Sequence, residues 1–178
     1  YQDLLYVGLD NGVGSGIISG GRLLQKGHVG VGEIGHMTID YNGIRCACGN
    51  TGCLENYVSI PVLEKQFAQK NACFREHCAL PENDAVMRQA ARRLTEALIS
   101  LVNILHPDII LMGHQASYIP VALLEAMEEQ VNLLRFSNTD PPLRIRRAYF
   151  GEAAPMLGGA ALVHQAFFQG ESCSVSLP

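Results

Sequence analysis

One histidine and three cysteines lie close together in a glycine-rich stretch, and their spacing limits how that stretch can fold. His36, Cys46, Cys48 and Cys53 follow each other at i, i+10, i+12 and i+17. Gly-Asn-Thr-Gly separates the last two cysteines and favours a tight turn, so both sulfurs can face one point. Three thiolates and one imidazole make a closed tetrahedral site with no position for a reacting water. The sequence therefore predicts a structural zinc ion.

Other interpretations of these cysteines stay open. Reduced, unligated thiols are one, because cysteine is often just a small buried hydrophobe. A disulfide is another, although Cys46 and Cys48 are too close in sequence to bridge comfortably and an isolated pair leaves one thiol over. A second group, Cys73, His77 and Cys78, has no fourth ligand, so we interpret it as packing.

Composition excludes several classes of protein. Of the 178 residues, 48% are apolar, which indicates a globular chain, and no run of 18 apolar residues predicts a membrane span. The N-terminal YQDLLYVGLD lacks the basic start of a signal peptide, so we expect a cytoplasmic location, where reduced cysteines suit a metal. The net charge of −4, without a basic stripe, argues against nucleic-acid binding by this segment.

Glycine placement and apolar periodicity predict an α/β lobe. Thirteen of the 18 glycines lie at or before Gly52, which favours strands and tight turns in the first part. There the predicted strands are 4–9, 16–19, 22–25 and 36–40. Helices are predicted at 59–70 (Ser59 as N-cap), 82–105, 119–134 and 155–168, with strands at 108–112 and 143–150. Pro107 ends the helix 82–105. The apolar period predicts the inner residues of the two middle helices: Val86, Ala90, Leu94, Ala97, Leu98, Leu101, Val102 and Leu105 in the first, and Leu124, Met127, Val131 and Leu134 in the second. Residues 71–81 are predicted to be an irregular link, Gly113 to close its strand, and 172–178 to be a tail; Arg144, Arg146 and Arg147 suit a solvated strand face.

A glycine-rich turn, residues 10–16, joins the first two strands. Its sequence is Asp-Asn-Gly-Val-Gly-Ser-Gly. Such turns can bring backbone N–H groups close to a phosphate, with Asn11, Gly12 and Gly14 as the candidate residues. The segment matches neither the P-loop nor GxGxxG, and a plain β-turn explains its glycines equally well.

GEIGH (32–36) and CACGNTGCLE (46–55) carry a resemblance to a known family. The chain resembles the ROK family of repressors, open reading frames and sugar kinases, from LDNGVGSGII to LGGAALVHQAF. The resemblance implies the C-terminal lobe of an actin-like, ribonuclease H-like sugar-kinase fold, with an inserted zinc loop, over residues 1–178. It also implies that the N-terminal lobe, which carries a DxGxT turn and a catalytic aspartate, and a repressor's winged helix-turn-helix domain lie outside this chain.

The resemblance also assigns roles to residues. It implies zinc ligation by His36, Cys46, Cys48 and Cys53, sugar contacts by Glu33 and His36, and a hydrogen bond from a sugar hydroxyl near the anomeric carbon to Glu55. Carboxylates and imidazole suit this task, because charge-assisted hydrogen bonds are strong. Family members usually self-associate, so a homo-oligomer is expected.

The resemblance leaves three functions open. ROK kinases place threonine where Asn11 stands, and Gly-Gly where Gly113-His114 stands, which puts ATP binding in doubt. The first interpretation is therefore a repressor module that senses a sugar or sugar phosphate and acts on DNA through a domain outside this chain. The second is part of an ATP-dependent hexose or N-acetylhexosamine kinase. The third is a scaffold with an inherited zinc site.

Overall fold

A five-stranded mixed sheet lies at the centre of the chain. The computed structural model describes residues 1–25, 31–136 and 141–169. Its strands run in the order β3-β2-β1-β4-β5. β1 pairs antiparallel with β2 and parallel with β4, and β5 extends the parallel side. The strands are β1 (Leu4–Leu9), β2 (Val13–Ser19), β3 (Arg22–Leu23), β4 (Ile109–His114) and β5 (Arg144–Arg147).

Helices complete the α/β lobe. Single 3-10 turns lie at Ile34–His36, Pro81–Asn83, Gln115–Tyr118 and Gly151–Ala153. None of the helices in the described ranges is long and apolar enough to cross a membrane. The helices are α1 (Glu55–Val58), α2 (Ile60–Glu64), α3 (Phe74–His77), α4 (Asp84–Leu105), α5 (Val121–Leu134) and α6 (Ala154–Gln169).

The core lies on one face of the sheet. Strand alternation places Leu5, Val7 and Leu9 on that face, where each is fully buried in one cluster with the apolar sides of α4 and α5. The next residues along β1 point the other way, so Tyr6, Gly8 and Asp10 share the opposite face. This alternation gives the sheet one packed face and one face that lines a cavity, described below.

The long helices follow the predicted apolar period. In α4 the predicted inner residues include Leu94 and Leu98, which are 2% and 1% exposed. The helix ends at Leu105, and the capping residue His106, whose φ of 47° is left-handed, stands directly before Pro107. In α5 Leu124, Met127 and Val131 are buried, but Leu134 is 56% exposed, because it stands at the last turn of the helix.

Several predicted strand boundaries are wrong. Residues 36–40 make only one isolated bridge, between Thr38 and Cys53, because the segment curves around the cysteines. The predicted strand 22–25 ends at Leu23, and the predicted strand 143–150 covers only 144–147, both at sheet edges. Gly113 does not close its strand; it lies inside β4 opposite Gly8.

The predicted helix 59–70 is also wrong, since α1 and α2 are short and separate. Ser59 does occupy the N-cap position of α2, without a side-chain capping bond. The link 71–81 contains the single-turn helix α3. Arg144, Arg146 and Arg147 are exposed, as predicted for a solvated strand. The predicted tail 172–178 lies outside the described residues.

Candidate functional site

The histidine and the three cysteines converge on one point. One ligand atom from each of His36, Cys46, Cys48 and Cys53 lies within 4.8 Å of all the others. Cys48 Sγ and Cys53 Sγ are 3.7 Å apart, and Cys46 Sγ is 3.9 Å from His36 Nδ1. Zn–S bonds of about 2.3 Å in a tetrahedron separate two sulfurs by about 3.8 Å. The donor set and its spacing therefore fit a tetrahedral metal ion.

Turns and short bridges, rather than regular strands, shape the Cys/His loop (residues 36–53). Cys46 N–H donates to Asn50 O, and Gly49 N–H donates back to Cys46 O. Gly52 has a φ of 70°, and a Cβ there would lie 1.7 Å from Asp40 O, so only glycine fits. Because the chain crosses closely over Asp40 at Gly52, Cys53 lies beside His36. The Cys53 thiol donates to the backbone oxygen of His36.

The electrostatics of the cluster also favour a cation. Burial raises the pKa of the Cys53 thiol to about 12, and the neighbouring sulfurs of Cys46 and Cys48 add to the effect. The pKa of Cys48 is lowered, chiefly by the backbone N–H of Asn50 and then by Cys46. A bound metal cation would supply the positive charge that several neighbouring thiolates require.

The other cysteine group does not form a comparable site. Among the described residues, the cluster around His36 is the one place where three or more metal-binding side chains converge. Cys78 is buried and its thiol contacts Tyr118 O at 3.3 Å, while His77 Nδ1 contacts the backbone of Cys73. Cys78 therefore packs in the interior as predicted, whereas Cys73 is exposed. All the described cysteines, including those of the loop, are free thiols rather than disulfides.

A cavity of about 790 Å³ opens on the other face of the sheet, beside the glycine turn. Glu33 and Glu55, the two predicted sugar-binding carboxylates, both line it. We call it the carboxylate cavity. Its described lining residues are Tyr6, Gly8, Asp10, Gly12, Val13, Gly14, Ser15, Gly16, Glu33, Glu55, His114, Ala154, Pro155 and Gly158.

Not every predicted site residue lines the carboxylate cavity. Gly12 and Gly14 of the glycine turn do, whereas the exposed Asn11 is not among the described lining residues. His36 lies in the metal cluster and is likewise absent from that lining. Its contact with a sugar stays a prediction.

Glu55 connects the Cys/His loop to the glycine turn. It is the first residue of α1 and stands two positions after Cys53, with the fully buried Leu54 between them. Its Oε2 accepts the backbone N–H of Val13 at 3.2 Å. A Cβ on Gly12 would lie 2.7 Å from the same oxygen, so any larger residue there would require the Glu55 carboxylate to move. One residue thus follows the Cys/His loop directly in the chain and bonds the glycine turn through its carboxylate.

Sequence reasoning missed Tyr6 and Asp10 as cavity residues. The Tyr6 ring lies directly over Gly113, where an added Cβ would meet its Cε2 at 2.1 Å. Asp10 Oδ2 lies 3.8 Å from His114 Nε2 at the adjacent strand end. Alternation along β1 carried the signal, since it puts both residues on the face opposite the apolar core. His114 itself has a φ of 51°, in the region that favours glycine.

Comparison with known proteins decides the family. The sequence profile of the ROK family matches residues 1–166. This chain belongs to the ROK family. Among ROK proteins, the xylose repressor of Caldicellulosiruptor bescii is 31% identical over 183 residues, which cover 91% of this chain and 46% of the repressor.

Solved ROK structures share the fold. A ROK family transcriptional regulator, a homologue of the Escherichia coli Mlc protein, has a TM-score of 0.81 and 28% identity, covering 96% of this chain and 48% of the regulator. The ROK hexokinase from Thermus thermophilus has a TM-score of 0.73 and 30% identity, covering 90% and 58%. The chain therefore has the α/β fold of ROK proteins and spans about half the length of these relatives.

Proposed function

We propose that this chain is the sugar-sensing C-terminal lobe of a ROK transcriptional regulator of carbohydrate metabolism, with a structural zinc ion. The observation that carries the proposal is the position of Glu33 and Glu55, which line one cavity beside the Cys/His cluster. Two carboxylates in a concave site suit a polyol, because each accepts charge-assisted hydrogen bonds from hydroxyl groups.

Zinc is the metal that the donor set favours. Three cysteine sulfurs and one imidazole complete a tetrahedron, so the ion would leave no open position for chemistry. Its role in this proposal is to hold the loop between His36 and Cys53, and so to position Glu55, which follows directly. His36, Cys46, Cys48 and Cys53 are the proposed ligands.

The surroundings of Gly113 favour a regulator over a kinase. The Tyr6 ring already covers Gly113, and the side chain of His114 lines the same cavity. In ROK kinases the corresponding strand ends in Gly-Gly, which leaves the backbone open to a nucleotide. The similarity to a xylose repressor and to a regulator homologous to Mlc supports the same choice. Because the chain is also similar to a ROK hexokinase, a sugar kinase is the second candidate function.

The proposal also includes the part of the regulator that lies outside this chain. The regulators that this chain matches are about twice as long, so we place the other lobe and a winged helix-turn-helix domain in the part that this chain does not contain. Sugar binding would shift the equilibrium between two lobe arrangements, provided that the sugar binds one of them more tightly. DNA, a sugar and further copies of the protein are the proposed partners, in the cytoplasm.

The deciding experiment combines turnover with binding on the protein in its natural full length. We expect no ATP-dependent phosphorylation of a hexose panel, one zinc per chain, and saturable binding of one sugar by calorimetry. Turnover of any hexose would replace the regulator with the kinase interpretation.

A matched pair of variants tests the site. Glu55→Gln keeps the side-chain shape but removes the charge, and should weaken sugar binding by about tenfold to a hundredfold. Glu125→Gln, on the exposed side of α5, is the control and should bind like the unaltered protein. An unchanged sugar titration for Glu55→Gln would remove Glu55 from the site.

A further inference from the structure

The four metal-binding side chains of the Cys/His loop divide into two contacting pairs. Cys48 Sγ lies 3.7 Å from Cys53 Sγ, and Cys46 Sγ lies 3.9 Å from His36 Nδ1. Cys48 is the exposed cysteine of the loop, whereas Cys46 and Cys53 are 5% and 0% exposed. A small molecule that reaches the cluster from the solvent therefore meets the sulfur of Cys48 first.

The two sulfurs of the first pair are close enough to form a covalent bond after a small movement. A disulfide places its sulfurs about 2 Å apart, so this pair must approach by about 1.7 Å. One residue separates Cys46 from Cys48, which strains a bond between them, whereas four residues separate Cys48 from Cys53. The sequence and the geometry therefore favour the Cys48–Cys53 pair.

Cys48 has room to move toward Cys53, because the two residues are held differently. Cys53 is held by its bridge to Thr38 and by the close crossing of the chain at Gly52. Gly49 follows Cys48, and no atom beyond its chain neighbours lies within 4 Å of the position that a Cβ would take there. The tip of the loop can thus shift while the partner sulfur stays in place.

We propose that Cys48 and Cys53 form a redox switch, which releases the metal ion of the loop when hydrogen peroxide oxidises the two sulfurs to a disulfide. The Cys48 thiolate attacks one peroxide oxygen, the O–O bond breaks, and a sulfenic acid forms. The Cys53 thiolate then attacks the Cys48 sulfur, and the S–S bond forms as the S–O bond breaks. In total the two thiolates give two electrons to the peroxide, which takes two protons from the solvent and leaves as two water molecules.

The disulfide would remove half of the donor set. His36 and Cys46 are the two donors that remain, and zinc held by two protein side chains binds far more weakly than zinc held by four. Disulfides in reducing compartments are usually transient bonds that report on oxidants. Reduction would restore both sulfurs, so the switch is reversible.

The switch would reach the carboxylate cavity through Glu55. Cys53 stands two positions before Glu55, whose Oε2 accepts the backbone N–H of Val13 at 3.2 Å. Loss of the metal ion would free the loop that holds this carboxylate in place. Metal release rests on the zinc site of the proposed function, and this last step rests on its sugar-binding cavity as well.

Titration of the natural full-length protein with hydrogen peroxide tests the switch, starting from reduced protein saturated with zinc. A chromogenic chelator measures the released zinc, and mass spectrometry of peptides locates the disulfide after the free thiols have been alkylated. We expect one zinc released for each Cys48–Cys53 disulfide, and rebinding after treatment with dithiothreitol and zinc. Release without this disulfide, or the disulfide without release, would overturn the inference.

Cys48→His is the matched variant, because two cysteines and two histidines also suit zinc while one sulfur of the pair is removed. Its zinc content is measured first, and peroxide should then release its zinc at least about tenfold more slowly than from the unaltered protein. Cys73→Ser removes an exposed thiol outside the loop and should release zinc at the unaltered rate. Equal rates for Cys48→His and the unaltered protein, or a slower rate for Cys73→Ser, would contradict the assignment. Should Cys48→His fail to bind zinc, the disulfide map of the unaltered protein still decides it.

Calorimetry with the hexose panel, before and after oxidation, separates the switch from the proposed function. The affinity for the bound sugar should fall by about tenfold on oxidation and return with reduction and zinc. Unchanged affinity after complete zinc release would disprove the step through Glu55 and leave metal release standing. If no sugar binds the reduced protein, sugar sensing fails while the zinc and disulfide measurements still decide the switch. Reduced protein that binds no zinc would overturn the zinc site and the switch together.

Discussion

The packed layer, formed by α4, α5 and the buried face of the sheet, and the Cys/His loop are stabilised by different interactions. In the packed layer, side chains such as Leu98 are buried in one continuous apolar cluster. The Cys/His loop leaves Tyr41 and Ile44 exposed at 87% and 54%, and is shaped by backbone turns and by four potential metal ligands. Burial of apolar side chains stabilises the packed layer. Turn hydrogen bonds stabilise the loop, and the metal ion that we propose would add to them.

The largest expected effect comes from a metal ligand. Cys48→Ser should reduce the metal content from the expected one per chain toward zero. The variant should also lose most of the stabilisation by metal binding, which is on the order of 10 kcal/mol for structural zinc sites. The exposed Cys73, at the N-terminus of α3, supplies the control Cys73→Ser. Elemental analysis and thermal melting of both variants check the prediction; full metal content and unchanged melting in Cys48→Ser would disprove the assignment.

The second effect comes from a substitution in the packed layer, which should lower stability without changing the metal content of the loop. Leu98→Ala, in the middle of α4, should lower the free energy of unfolding by about 3 kcal/mol, because it leaves a cavity in a close-packed core. Metal content should stay at the unaltered level. Ile104→Ala, on the same helix but 75% exposed, is the control and should cost much less. Urea unfolding measures both, and a loss of metal in Leu98→Ala would show that the regions are not independent.

A third prediction concerns the pH dependence of the packed layer. Burial alone would raise the pKa of Glu128, but the Ile145 N–H and the guanidinium groups of Arg144 and Arg146 outweigh burial and lower it. A carboxyl group with a lowered pKa stabilises the fold above its ordinary pKa, near 4.5, and loses that contribution as the pH falls through the lower value.

Glu128→Gln should therefore cost about 2 kcal/mol at neutral pH, since it weakens three charge-assisted hydrogen bonds. The difference from the unaltered protein should shrink as the pH falls below about 4.5. The neighbouring Glu129, which is exposed, gives the control Glu129→Gln. Urea unfolding at a series of pH values measures the effect, and a difference that does not change with pH would rule out ionisation as its source.

The smallest effect is expected where the two regions meet. The Arg93 guanidinium of α4 lies 5.1 Å from the centre of the Tyr57 ring and 3.7 Å from Asp40 Oδ2 in the loop. Tyr57 Oη in turn accepts the backbone N–H of Ile44. Arg93→Ala should cost about 1 kcal/mol and raise amide exchange in the loop. Arg92→Ala, whose side chain is 82% exposed, should do neither; equal exchange in both variants would mean that α4 does not support the loop.

The packed layer could be predicted from the sequence because its determinant is periodicity. The apolar residues of α4 recur with the helical period, and Pro107 marks its end, so both the helix and its buried face were predicted correctly. Leu134 is the exception, since periodicity carries no information on how far the neighbouring core extends.

The metal-binding character of the Cys/His loop could be predicted from the sequence, but its backbone conformation could not. The residue types of the cluster suggested the metal, and the cluster does converge. The β-branched residues of 36–40 suggested a strand, but the turn hydrogen bonds and the close crossing at Gly52 determine the backbone there. Asp10 was missed for a different reason. Its place beside Glu33 and Glu55 depends on the folded sheet, which brings residues distant in sequence to one cavity.

The position of Glu55, between the Cys/His loop and the glycine turn, has a thermodynamic consequence. The same carboxylate follows the last cysteine of the loop, bonds the glycine turn and lines the carboxylate cavity. If a metal in the loop strengthens ligand binding in the cavity by some factor, the ligand must strengthen metal binding by the same factor, because the coupling free energy is reciprocal. A protein with its sugar bound would then release its metal to a chelator more reluctantly than one without, so the metal would itself act as a second effector.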